Sequence, residues 1–503
     1  MQTQTQPQAI PQALKEALTT FGLPAFDLEK VLRLALSNGG SLAELYFEEN
    51  ESTRIIFENG RLDQVTPGTD RGVGLRILFD HRQVYGYSTD LSQGALEKLA
   101  QTLSAAVSTK DRSATDRKWD FRTTQQKTAE IRDYQIRKTA REVDLSTKVQ
   151  WATRADQGAR QEMPDARQVM AACMDSRRKI LVVNSDGVVS SDVKYYLQLF
   201  VEVVGETTGE NGPRVESAHE SDGGFVGVEF FEKRKPEDIG AEAAKRVKIL
   251  LSAKPAPAGT MTVVLSSRAG GTMIHEAVGH GLEADLACNG LSVYGGKLGT
   301  QVASPLITVI DDGTMRERRG SFRFDDEGTA SQKNVLIENG VLKGYMVDKL
   351  SAMKFDMMAT GNGRRESFRN KPIVRMTNTY IAPGKDHPDQ ILRETKSGIF
   401  VEAMGGGQVD TVTGDFVFAV TEAYLIRDGK LGEPIRGATL VGNGPKILME
   451  VDRVGTDLGF ATGTCGKDGQ GAPVTDAQPT LRIPRLTVGG EVPMATYFGN
   501  DSA

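Results

Sequence analysis

Asn59-Gly60 sits between two runs that alternate apolar and polar residues, in AELYFEENESTRIIFENGRLDQV. A period of two is a strand period, because successive side chains of a strand point to opposite faces. A two-residue hairpin turn needs φ > 0 at both central positions, and Asn-Gly meets that demand at little strain. The same form returns in LIENGVL at Asn339-Gly340 and in LIRDGKL at Asp428-Gly429. No fixed period links the three, so they read as shared turn chemistry and not as a repeat array. The chain must therefore build antiparallel sheet in both its halves.

Helical patterns lie between the strand runs. AFDLEKVLRLALSNGG has apolar residues at helical spacing and stops at Gly39-Gly40. LSQGALEKLAQTLSAAV is amphipathic behind a Ser or Asp cap, and EDIGAEAAKRVKILLSA reads as a further helix. The basic, polar stretch from about Lys110 to Glu162 predicts a long, mostly solvated helix around residues 128–161. At 503 residues the chain exceeds what one hydrophobic core organises. The Pro/Ala/Gly segment KPAPAG, residues 254–259, marks a boundary. The expected fold class is α+β: a mixed α/β N-terminal domain over 1–253, then a β-rich C-terminal domain over 254–503.

Bulk properties narrow the function. A net charge of -5, with acids interspersed in the basic stretch, gives no reason to expect nucleic acid or an anionic membrane as partner. No apolar run approaches the roughly 18 residues of a membrane span. The start, MQTQTQPQAIPQALKEAL, has no apolar core of a signal peptide. Three cysteines, Cys173, Cys288 and Cys465, give no disulfide framework. A cytoplasmic setting is the expectation.

GGTMIHEAVGHGLEAD, residues 270–285, holds two of the five histidines and places Glu276 directly after the first. In H-E-x-x-H two imidazoles four residues apart lie within about 40° on a helix and reach one ion. Here His275 and His280 are five apart, which splits them by about 140° on a regular helix. A π turn would absorb the extra residue, or the helix could end before His280. Gly279 and Gly281 make either course inexpensive. A pair of structural histidines remains the plain alternative.

A catalytic zinc site takes three protein ligands and leaves a position open. Candidates for the third are Glu283, Asp285 and Cys288 nearby, and Asp325, Asp326, Glu327 and Cys465 farther away. Cys465 falls in GFATGTCGKDGQGAPV, read as a glycine-rich loop; a small buried apolar role is the alternative for it, and is the reading for Cys173. Arg364 and Arg365, in TGNGRRESF, are candidates for oxyanion donors, with surface salt-bridging as the plainer role. The glycines of EAMGGGQ, residues 402–408, could let a substrate backbone approach or could serve turns only.

MIHEAVGHGLEAD resembles the active-site helix of the TldD/PmbA family of zinc metallopeptidases, in its TldD-type form. The resemblance extends over FDDEGTASQKNVLIENGVLKGYMVDKLSAMKF, ATGNGRRESFRNKPIVRMTNTYIAPG, GGGQVDTVTGDFVFAVTEAYLIRDGKLGEPIRGATLVGNGPKIL and GTCGKDGQGAPV, and over the first hairpin. It implies a Zn²⁺ ion held by His275, His280 and Cys465, with Glu276 as general base on zinc-bound water. It implies peptides or unfolded polypeptides as substrates in an enclosed site. It also implies a dimer, either with a PmbA-type paralogue that lacks the ligands or with a second copy. A non-catalytic polypeptide-binding scaffold subunit is the alternative.

Overall fold

The computed structural model describes residues 12–498, apart from residue 25 and the stretches 116–117, 124–135 and 210–211. The first hairpin forms as the sequence requires: Leu42–Glu58 pairs antiparallel with Arg61–Phe79 around Asn59 at φ 48° and Gly60 at φ 78°. These strands belong to a seven-stranded sheet. Its main path runs Arg82–Ser88, Arg61–Phe79, Leu42–Glu58, Gln168–Asn184, Val188–Gly209 and Arg122–Thr123. Gly212–Gly224 adds to Val188–Gly209 off this path.

Alternation decides what covers each face. Ala43, Leu45, Phe47 and Ile55 point to one side, where two groups of helices cover them. Gln12–Phe21, Leu28–Ala35 and Gln93–Ala105 form the first group. Leu145–Glu162 and Pro236–Ser252 form the second, and they cross closely: a Cβ on Gly240 would stand 1.9 Å from the Ala155 carbonyl oxygen. That crossing corrects the long solvated helix. The helix begins at Leu145, behind a 3₁₀ turn at Ala140–Glu142, and it buries Lys148, Trp151, Ala152, Ala155 and Ala159. Thr139 and Glu142 form a capping box there, which sets the turn apart from the helix. Residues 124–135 of the expected span lie outside the described residues.

The other face of the sheet carries Glu44, Tyr46, Glu48, Arg76 and Arg178, and it too is buried. It packs against the C-terminal half. Glu44 accepts from Arg76 at 3.1 Å and from Arg365 at 3.1 Å, and Arg76 pairs with Glu327 at 2.6 Å. Lys194 donates to Asp326 at 3.1 Å, while Arg178 bridges Tyr46, Glu48 and the Arg365 carbonyl. Phe368 fills the space among Tyr46, Ile180 and Val182.

The C-terminal half is β-rich. Ser397–Val409, Pro257–Leu265, Leu481–Gly489, Thr439–Asn443 and Asp415–Arg427 pair in that order, and the last pairs with the first. The result is a closed five-stranded ring without free edges among its members. The KPAPAG segment is not a free linker: Lys254–Pro255 pairs with Lys430–Arg436 at the rim of this sheet. A second sheet runs Val341–Leu342, Lys333–Glu338, Val309–Asp312, Asn378–Ile381, Gln470–Gln478 and Gly459–Lys467. Its last two strands are the expected glycine-rich loop, which is instead a regular hairpin. They turn at Asp468 (φ 51°) and Gly469 (φ 71°), the same turn chemistry as the other three hairpins. The segment from Thr272 to Leu282 lies between the two sheets, in one core with residues of both. Among the described residues no helix is long and apolar enough to cross a membrane.

Candidate metal centre

Strand Pro257–Leu265 leads through a 3₁₀ turn at Ser267–Ala269 into Gly270 and Gly271, both at φ 80°. These glycines set the start of the site helix against the second sheet. A Cβ on Gly271 would stand 2.5 Å from the Ala477 backbone nitrogen, and one on Gly270 would stand 2.6 Å from the Ala461 Cβ. Ala461 and Ala477 belong to the hairpin that carries Cys465, so the helix and the hairpin touch here.

The extra residue in HEAVGH is taken up by a π turn over His275–Gly279, with the His280 N–H donating to the His275 carbonyl. A 3₁₀ turn at His280–Leu282 follows. The two rings end with centroids 5.1 Å apart and planes at 89°. Both glycines are required by neighbours. A Cβ on Gly279 would meet Met376 Sδ at 2.1 Å, and one on Gly281 would meet the Tyr294 ring at 2.7 Å.

His275, His280 and Cys465 come together, with their donor atoms within 4.8 Å of one another. His275 Nδ1 lies 2.7 Å from Asp476, and His280 Nδ1 lies 3.0 Å from Glu283. An ionised carboxylate only accepts, so each pair keeps the proton on Nδ1 and turns Nε2 to the other side. Both Nε2 atoms then face Cys465 Sγ, at 3.1 and 3.4 Å. With bonds of ~2.3 Å to sulfur and ~2.0 Å to nitrogen, tetrahedral zinc would place N and S about 3.5 Å apart. Two imidazoles and a thiolate fit that ion in donor type, spacing and orientation.

The electrostatics agree. Burial lowers the basicity of both histidines, but Asp476 and Glu283 outweigh it, lifting His275 well above its ordinary range and His280 to about 9. Burial raises the Cys465 thiol, yet His275 and His280 bring it down to about 5. The two histidines thus favour the thiolate form of Cys465, and a cation bound there would take the place of protons on the Nε2 atoms. Glu276 is part-exposed beside the pair. Burial raises its pKa against the pull of both histidines. Among the described residues its carboxylate has no hydrogen-bond partner.

The remaining sequence candidates go elsewhere. Glu283 does not face the donors' focus but orients His280; Asp285 pairs with Lys467, which also donates to Glu283 at 2.9 Å. Cys288 is half-buried beyond the end of the short helix Ala284–Ala287. Asp325, Asp326 and Glu327 are buried by the seam with the N-terminal sheet, where Asp326 and Glu327 pair with its Lys194 and Arg76. Arg364 and Arg365 are neither surface residues nor free donors. Arg364 donates to the Met376 and Pro473 carbonyls, and Arg365 to Glu44 and the Asp326 carbonyl. In EAMGGGQ, Gly407 makes room for Phe418, whose ring a Cβ would meet at 1.9 Å. Cys173 is buried in the N-terminal sheet, where burial pushes its thiol up to about 12.

Sequence reasoning missed Asp476 and Lys467. Asp-Gly at 468–469 was the available signal: read as a hairpin turn, it pairs Cys465 with Ala472 and places Asp476 opposite Ala461.

Comparison with known proteins shows the family. Residues 43–109, 138–251 and 258–490 match the family models described as PmbA/TldA metallopeptidase domain 1, central domain and C-terminal domain. A "Metalloprotease TldD homolog" of Haemophilus influenzae is 35% identical over 486 residues, covering 95% of this chain and 99% of its own length. A "Zinc metalloprotease TldD homolog" of Saccharolobus solfataricus is 32% identical over 254 residues, 50% of this chain and 56% of its own. The crystal structure of TldE from Thermococcus kodakarensis superposes with a TM-score of 0.71 at 18% identity, covering 92% of this chain and all (100%) of that one, and so shares the fold. On these grounds, the chain belongs to the PmbA/TldD metallopeptidase family.

Proposed function

We propose that this chain is a zinc-dependent peptidase that hydrolyses peptides or unfolded polypeptides, with His275, His280 and Cys465 holding the ion and Glu276 as general base. One observation carries the reading: two carboxylate–histidine pairs aim both Nε2 atoms at one thiolate, and the Glu276 carboxylate, without a hydrogen-bond partner among the described residues, stands beside them. Zinc bound there would supply Lewis-acid polarisation of a carbonyl and a lowered pKa for water. Asp476 and Glu283 fix the tautomer and orientation of the histidines. Glu276 takes a proton from the attacking water and returns it to the leaving amine nitrogen. The family names of its relatives support peptide bonds as the target.

The test measures metal content and digestion of an unstructured peptide, with and without a chelator. Wild type should carry about one zinc per chain and lose activity on chelation. Glu276→Gln should keep the zinc and lose turnover by a factor of about 100 or more. Full activity in Glu276→Gln would remove the proposed base. Zinc-independent peptide binding without hydrolysis would favour the scaffold role. A dimer, with a paralogue or with a second copy, belongs to the same proposal and is checked by the mass of the complex in solution.

A further inference from the structure

Cys465 stands on a strand, and a strand alone does not fix where its thiolate points relative to a helix 190 residues earlier in the chain. Three consecutive residues, Val374 to Met376, touch both of the elements that bring ligands. The Val374 carbonyl accepts from Lys467, two residues past Cys465, at 3.1 Å. Met376 Sδ occupies the place a Cβ on Gly279 would take, in the π turn between the histidines. Between them lies Arg375, whose side chain is fully buried at 0% exposure. Its guanidinium donates to the Cys465 carbonyl through Nη2 and to the Gln470 carbonyl at 3.0 Å through Nη1. Those carbonyls lie on the two arms of the hairpin, on either side of the Asp468-Gly469 turn. Its own backbone is pinned by Asn362, which accepts from the Arg375 N–H at 2.9 Å and donates to its carbonyl at 2.9 Å.

Among the described residues no carboxylate lies within ion-pair distance of Arg375. A buried guanidinium served only by backbone carbonyls is an unusual expenditure of charge, since a neutral donor would serve as well for packing alone. What the planar fork offers is two N–H groups at a fixed separation, which hold two acceptors at a fixed spacing.

We infer that Arg375 is a positioning residue for Cys465: its fork clamps both arms of the hairpin and presets the thiolate against His275 and His280 before any ion arrives. The inference rests on the metal reading proposed above. Lysine keeps the charge but offers no planar fork, so Arg375→Lys separates clamping from charge.

The experiment uses the full chain, with zinc affinity measured by competition with a chromophoric chelator and with cobalt(II) as a spectroscopic substitute. Arg375→Lys should weaken zinc by about 10–100-fold and diminish the sulfur-to-cobalt charge-transfer band. The loss should nearly vanish in a Cys465→Ser background. An affinity within about twofold of wild type, with the band intact, overturns the inference. So does an equal loss in the Cys465→Ser background, which marks general damage. A wild-type chain that takes up no zinc defeats the metal reading itself, a visibly different result. Hydrogen exchange on the metal-free wild type needs no variant. Residues 459–478 should be protected as strongly as with zinc, and free exchange there overturns the presetting.

Discussion

Asp476 holds His275 by its Nδ1 at 2.7 Å, across 201 residues of sequence. The pair lies where the Gly271 backbone rests on Ala477, so the contact that seats the helix also brings in the carboxylate that aims the ring. Asp476→Ala should lower zinc affinity by about 10–100-fold while leaving the fold intact, as removal of an orienting carboxylate does at other metal sites. Chelator competition with a melting curve as control checks this. Unchanged affinity would remove Asp476 from the centre.

Cys465→Ser tests the third donor. The hydroxyl is a poorer, harder ligand that does not ionise near neutrality. Zinc affinity should fall by more than for Asp476→Ala, and titration with a thiol reagent under denaturing conditions should count two cysteines in place of three. Should zinc bind as tightly as before, the third ligand lies elsewhere.

Gly279→Ala tests the spacing of HEAVGH. The new Cβ would stand 2.1 Å from Met376 Sδ, so the core must yield. Overpacking of this kind costs about 1–3 kcal/mol. A lower melting temperature is expected, partly restored by Met376→Ala in the same chain. A double variant no more stable than Gly279→Ala alone would place the strain somewhere other than this contact.

Asp326→Asn tests the seam. Burial raises the Asp326 pKa, but Lys194 and Arg178 together hold it far below the usual carboxylate range. A depressed folded-state pKa adds stability that is present above the unfolded value, about 4, and is lost as pH falls toward the folded one. Wild type should therefore exceed Asp326→Asn by about 3–5 kcal/mol near neutrality, the cost of stranding buried cations. That gap should narrow as pH drops below about 4. A gap that stays constant from pH 7 to pH 3 would show that charge is not its source.

The strands, the hairpin turns and the His-Glu-His segment were legible because each rests on local chemistry. Asn59-Gly60 demands a turn wherever it occurs, and the fivefold spacing of His275 and His280 admits few geometries. Longer-range facts were not legible. Alternation in AELYFEEN marks one face as charged, and a charged face ordinarily meets water; Glu44 and Glu48 instead meet Arg365 and Arg178 in a dry seam. The helix beginning at Leu145 looked solvated because its polar composition hides a close glycine crossing, in which its own Gly158 meets Glu237 and the partner helix's Gly240 meets Ala155. Cys465 looked like part of a loop because glycines dominate around it. Asp476 was legible only through the Asp468-Gly469 turn, since its meaning comes from strand register.

The buried charged face also sets a schedule. During synthesis Arg76 and Glu44 leave the ribosome early, whereas Arg365, which completes their network, follows 365 − 76 = 289 residues after Arg76. At roughly 5–20 residues per second, that is about 15–60 s, of which about the last 7–28 s, after the sheet's final strand ends at Gly224, pass with a hydrated, half-matched face on an otherwise finished sheet. A face of charges tolerates water through that wait better than an apolar face of the same size would.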